Sequence, residues 1–279
     1  MSSLEQIVVR WPRVGFTDVF HRNVSRRGLP AKLYVLLFGT PHLGTFANGI
    51  YLRRATRHLN PLSVLDAGCG DGTFAFYMAS RFPGARVLGV DVGEQGLHHS
   101  ESTLDICAAV HRSLPLRNLA FRQQDLRQLD ACEEFDFVYS FDVLEHIAEN
   151  RQVLENIYRA LRPGGSLLLR IPSRQQKRIL SPRFTRKHAH WAEIEHVGQH
   201  YEMDSLLADL KQIGYKIVSA KYTMGNWGRL SFELSEAIQY YRLPQALQML
   251  CMPVLKALRF VDTHAANREG DGLLVLCRK

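Results

Sequence analysis

Short apolar runs alternate with amphipathic stretches through the middle of the chain. Leu62-Ser-Val-Leu65 reads as a buried strand that stops at Asp66, and Phe74, Met78 and Ala79 then fall on one side of a helix. Four more strands follow with helices between them: Arg86–Asp91, Leu119–Asp125, Phe135–Ser140 and Ser166–Ile171. The intervening helices are expected near Gln95–Val110 and Asn150–Leu161. This rhythm predicts an α/β fold with a doubly wound, mostly parallel sheet.

Outside the alternating core the pattern changes. Residues 1–30 are irregular, Leu33–Phe38 is apolar, and a helix is expected from Phe46 to Leu59, ended by Asn60-Pro61. Residues 1–60 are therefore read as a helical N-terminal cap, and 61–279 as the ligand-binding domain. Residues 173–200 interrupt the rhythm as a lid-like insertion. Met203–Ile213 is a helix stopped by Gly214, Tyr215–Tyr222 a sixth strand and Leu273–Cys277 the last. The insertion at 223–271 is helical by pattern. Within it, Leu243–Val261 is apolar apart from Lys256 and Arg259, which suits a core or homodimer helix better than one lying on a membrane.

Composition narrows the setting. The chain has 279 residues and a formal charge of +8, which favours acidic partners without choosing among nucleic acid, lipid headgroups and anionic substrates. Its five cysteines are scattered and form no Cys-x-x-Cys pair, so a reducing cytoplasmic location is expected. No apolar run suits a membrane span, and Met1–Gln6 does not resemble the start of a signal peptide.

The chemistry concentrates after the first strand, where Gly68, Gly70 and Gly72 alternate. Such a turn puts backbone N–H groups and room for a ligand at the strand's carboxyl end. The dinucleotide fingerprint would need a sixth-position glycine where Thr73 stands, and no Gly-Lys-Ser/Thr follows to make a phosphate loop. Asp91 and Asp125 end the next two strands, so three acids face one crevice.

Val64–Thr73, Val90-Asp91, Gln124-Asp125, Phe135–Ile147 and Leu161–Leu167 together resemble, motif by motif, the class I S-adenosylmethionine (SAM)-dependent methyltransferases. The resemblance covers about residues 60–172 and more loosely 195–222. It implies a seven-stranded sheet with an antiparallel last strand, and SAM as cofactor. It also implies residue roles: Asp66, Gly68, Cys69 and Gly70 at the methionyl end, Asp91 on the ribose hydroxyls with Val92 against adenine, and Asp125 with Leu126 at the adenine amino group. Ser140 and Phe141 would line the methionyl side.

The segment after strand four, Ser140-Phe-Asp-Val-Leu-Glu-His146, lacks the Asn/Asp-Pro-Pro-Tyr of amino-nitrogen methylation and a Pro-Cys nucleophile. It resembles the branch that methylates oxygen or carbon of apolar small molecules, lipids and natural products. Asp142, Glu145 and His146 would share a helix face, as pocket-floor residues, a metal site or a base at His146, imidazole's ordinary pKa being about 6.5. Metal is not expected. His196 and His200 are the further candidates for a base, and Tyr34, His42, Glu145, Arg174, Trp191 and Tyr201 for the substrate side. The expected partner is a small molecule or lipid, anionic if the basic stretch 171–192 serves recognition. A homodimer and peripheral membrane contact stay open. An RNA methyltransferase and a non-catalytic SAM-binding scaffold are the competing functions.

Overall fold

A computed structural model describes residues 42–93, 102–114, 116–198 and 201–279. Helix α1 (Leu43–Ala55) precedes an alternation of β1 (Ser63–Ala67), α2 (Thr73–Arg81), β2 (Arg86–Asp91), α3 (Thr103–Ser113), β3 (Leu119–Gln123), β4 (Phe135–Phe141), α4 (Asn150–Ala160) and β5 (Leu161–Pro172). Then come α5 (Pro182–Glu195), α6 (Met203–Ile213), β6 (Lys216–Thr223), the pair α7 (Asn226–Tyr240) and α8 (Gln245–His264), and β7 (Gly272–Arg278).

The seven strands lie in the order β3-β2-β1-β4-β5-β7-β6, parallel except for β7, which is antiparallel to both neighbours. This is the expected fold class. Alternate strand residues serve opposite faces. Val64, Phe137, Tyr139, Leu168 and Leu274 pack with α1 and α2, whereas Leu65, Val138, Leu167, Leu169 and Val275 pack with α4 and α6. Both faces are covered, so the strands read as near-continuous apolar runs.

The chain crosses over between β1 and β4, and in such sheets the crevice outside the strand ends at that point takes ligands. Strand β5 begins earlier than expected: Leu161 pairs with Phe135 across a bulge, so Pro163-Gly-Gly165 belongs to the strand rather than to a separate turn. The 223–271 insertion is a two-helix hairpin. Its second helix, α8, packs on α1 with its charges reversed from the usual arrangement. Lys256, Arg259 and Asp262 are buried, while Leu247, Leu250, Val254 and Val261 face outward. No helix among the described residues is long and apolar enough to cross a membrane.

Candidate functional site

The loop after β1 is a knot of backbone hydrogen bonds. Gly68 and Cys69 N–H both donate to Val90 O at 2.9 Å, and Gly72 N–H donates to Cys69 O at 2.9 Å. Gly70 N–H donates to Asp91 Oδ2 at 2.8 Å. These four backbone donors are engaged within the protein. Beside them Asp66 lies 3 % exposed with Oδ2 unpaired, an acceptor for a cationic group. Burial pushes its carboxyl up to about 8, and the Tyr139 hydroxyl alongside eases this without hydrogen-bond geometry.

Two glycines divide the work of the turn. At Gly68, with φ +82°, an added Cβ would lie 2.3 Å from Val143 Cγ2, so only a hydrogen fits. At Gly70, with φ +51°, an added Cβ would meet nothing within 4 Å. That open space is a cradle a side chain would fill. Cys69 is buried, its thiol raised by neighbouring Cys107 and by burial, so it packs as a small apolar group.

Asp91 Oδ1 accepts Gly93 N–H at 3.0 Å and the Thr103 hydroxyl at 3.3 Å. With Gly70 on Oδ2, three of roughly four carboxylate acceptor sites are in use. One hydroxyl can be added freely, and a second requires the long Thr103 contact to give way. Val92 beside it is 40 % exposed, an apolar surface at the mouth of the crevice. These features fit SAM: an unpaired acid for an ammonium, a glycine cradle, a hydroxyl acceptor and an uncovered apolar residue for a ring.

The other residues expected at the cofactor have partners within the protein. Asp125 is held by Arg127, whose guanidinium reaches Oδ2 at 2.6 Å and whose N–H reaches Oδ1 at 2.8 Å, and this pairing holds the carboxyl below its usual range. Leu126, expected beside adenine, is 3 % exposed in the core. The Ser140 hydroxyl donates to Ala67 O at 2.8 Å, bracing the loop, and Phe141 meets Phe74 edge-on at 5.3 Å.

After β4 the three candidate side chains do not share a helix face. Asp142 is left-handed (φ +56°) and turns to Arg170, with which it pairs, and to Asn48 Nδ2 at 3.1 Å. Leu144–His146 is one 3-10 turn. Glu145 is buried with Oε2 unpaired, and burial, then Asp142, pushes it up to about 8. The His146 and His196 rings meet edge-on with centroids 5.1 Å apart. Glu145, His146 and His196 bring one ligand atom each within 4.8 Å of one another, a spacing that suits shared protons or a divalent ion. Gly198 fastens the lid segment to this turn: its N–H donates to Glu145 O at 2.8 Å, and a Cβ there would lie 2.4 Å from Leu144 O.

Tyr201, expected on the substrate side, is fully buried, its hydroxyl donating to Asp209 Oδ2 at 3.0 Å. His42 caps α1, Nδ1 accepting Thr45 N–H at 3.1 Å. Arg174 is exposed, and its N–H donates to Tyr201 O at 2.8 Å. Trp191 lies in α5, its side chain outside the description; Tyr34 and His200 lie outside the described residues. Asn48, Tyr51 and Arg170 escaped the sequence reading, and Arg259 reads there only as a charge in an apolar helix. The available signal was a cation inside an apolar run, at Leu169-Arg170-Ile171 and Leu258-Arg259-Phe260.

Residues 42–220 match the family model described as a methyltransferase domain. Trans-aconitate 2-methyltransferase of Deinococcus radiodurans is 34% identical over 110 residues, 39% of this chain and 38% of that one. Ubiquinone biosynthesis O-methyltransferase of Pseudomonas entomophila is 34% identical over 122 residues, 42% of this chain and 47% of that one. The chain thus spans less than half the length of these curated relatives. Among solved structures, a SAM complex of phosphoethanolamine N-methyltransferase 2 from Haemonchus contortus matches with TM-score 0.60 at 21% identity, covering 88% of this chain and 56% of that one.

Proposed function

Because the chain belongs to the methyltransferase-domain family, we propose that it transfers a methyl group from SAM to an oxygen or carbon of a small molecule. Bound SAM supplies a methyl group made electrophilic by its sulfonium. Asp66 holds the ammonium, Gly70 leaves space for the methionyl chain, and Asp91 accepts from the ribose with Val92 against the adenine. The observation that carries this reading is the buried Asp66, its Oδ2 unpaired, beside the Asp91–Gly70 bond at 2.8 Å. Both acids meet at one crevice.

On the acceptor side the protein's work is positioning and, where the acceptor carries a proton, its removal. His146, exposed at the turn and ringed by Glu145 and His196, is the group we assign to take that proton. Residues 61–279 are the cofactor-binding domain in this reading, with 173–200 as the lid insertion, docked through Gly198. Calorimetry with SAM tests the cofactor half: one site per chain is expected, lost in Asp91→Ala. Release of S-adenosylhomocysteine with phenolic, enolic and carboxylic acceptors tests the other half. Turnover that survives His146→Ala undiminished at every pH removes His146 from the role.

A further inference from the structure

A second charged cluster adjoins the methyl-transfer end and takes no part in holding the cofactor. Asp142 stands between Phe141 and Val143, the residue packed on Gly68, so whatever Asp142 touches borders the same crevice. It pairs with Arg170 on β5 and with Asn48 on α1. Asn48 and Tyr51 lie three residues apart on α1 and turn the same way, both buried. From the other side α8 brings Arg259, 4 % exposed.

The Arg259 guanidinium is the anomaly. Its Nε has no hydrogen-bond partner, and it makes no ion pair among the described residues. Asp262 is close enough to favour its charged form but makes no hydrogen bond to it; that carboxylate accepts Met224 N–H at 2.9 Å and Asn267 Nδ2 at 3.3 Å. Arg170 is also incompletely used, with Nε unpaired and one Nη on Met224 Sδ at 3.4 Å. Burial, then Arg170's charge, pushes Arg259 down to about 10. Lys256 lies over the Phe46 ring and Lys221 over the Tyr51 ring, and Arg54 reaches the same neighbourhood, so with Arg170 and Arg259 five cations here face Asp142, Asp262 and Glu145. An enclosed guanidinium with a buried N–H unpaired costs stability, and an apolar side chain of like size would fill the space at less cost. What such a site lacks is an anion.

We propose that Arg259 and Arg170 form an oxyanion subsite that reads a carboxylate or phosphate group on the methyl acceptor. The inference rests on the methyltransferase reading above and names its substrate class. Guanidinium forks match the paired oxygens of both groups, and the Tyr51 hydroxyl, burial-raised to about 12, stays a donor at physiological pH. Asp142 fixes Arg170 so that its remaining edge faces the anion.

The test needs no methyl transfer. The SAM-loaded full chain is titrated with malonate and with inorganic phosphate, chloride matching ionic strength, by calorimetry. Saturable binding of either probe is expected, at least about tenfold weaker in Arg259→Met and intermediate in Arg259→Lys, which keeps the charge and loses the fork. The tighter probe identifies the group. Arg259→Met is expected to melt no lower than wild type, and Arg259→Lys remains informative if it does. Equal binding by wild type and both variants, or none by wild type, overturns the subsite. SAM affinity in the same samples separates the two readings: intact SAM binding without an oxyanion response sinks the subsite alone, and absent SAM binding sinks the methyltransferase reading.

Discussion

Asp91 accepts the Gly70 N–H at 2.8 Å, so the acid ending the second strand holds in place the glycine turn that follows the first. One carboxylate thereby shapes the cradle and keeps an acceptor free beside it. Asp91→Ala should remove both, weakening SAM binding by 100-fold or more, since hydrogen bonds to a charged group are worth about 1.5–3 kcal/mol each. Asp91→Asn, which keeps one acceptor, should lose less. Calorimetry at constant ionic strength checks the order; equal affinity in Asp91→Ala and wild type would sink the assignment.

Gly68 and Gly70 should respond differently to alanine. Gly68→Ala drives Cβ into Val143 at 2.3 Å and also takes a left-handed backbone costing about 1–2 kcal/mol, so it should lower the melting temperature sharply. Adding Val143→Ala should recover the clash but not the backbone cost. Gly70→Ala meets open space, so it should fold with a modest loss and bind SAM poorly. Unaltered SAM affinity in Gly70→Ala would mean that the methionyl chain lies elsewhere.

Asp66 should give the protein a pH signature. Its carboxyl titrates near 8 when folded and near its ordinary value, about 3.9, when unfolded. Between those pH values the folded protein holds the extra proton, so stability falls as pH rises. Glu145, also raised to about 8, adds to the same trend. Asp66→Asn should therefore gain melting temperature over wild type at pH 8 and little at pH 4, while losing SAM. An ammonium beside Asp66 should expel up to about one proton on binding near pH 7, read from calorimetry in buffers of different ionisation enthalpy. No buffer dependence would contradict that contact.

Tyr201→Phe should cost about 1 kcal/mol of stability and leave kcat/KM unchanged, because its hydroxyl serves Asp209 in the core. A KM effect with unchanged stability would restore it to the substrate side. At the turn, dialysis against a chelator should leave turnover intact if His146 moves a proton unaided; loss restored by a divalent ion would give the Glu145–His146–His196 group to a metal.

The strand ends were legible in the sequence because burial imposes apolar runs and glycines mark where the backbone must turn. Asp66 and Asp91 follow from that register alone. What escaped were pairings decided by side chains far apart in the chain. Arg127 captures Asp125 two residues away, yet nothing in Gln124–Gln128 distinguishes that from a free acid. Tyr201 looks like a lid residue until Asp209, one helix on, draws its hydroxyl inward. The stretch Leu243–Val261 reads as an apolar helix for a core or a homodimer, but hydrophobic patterning does not say that Lys256, Arg259 and Asp262 are the residues turned inward.

Methyl transfer from SAM to a small molecule can be followed with methyl-labelled SAM. The protein is incubated with labelled SAM and a cell extract separated into small-molecule, lipid, RNA and protein fractions. Label should enter the small-molecule or lipid fraction and vanish with Asp91→Ala. Label confined to RNA, with binding that weakens steeply as salt rises, would contradict the account, as would no incorporation at all by a protein that binds SAM.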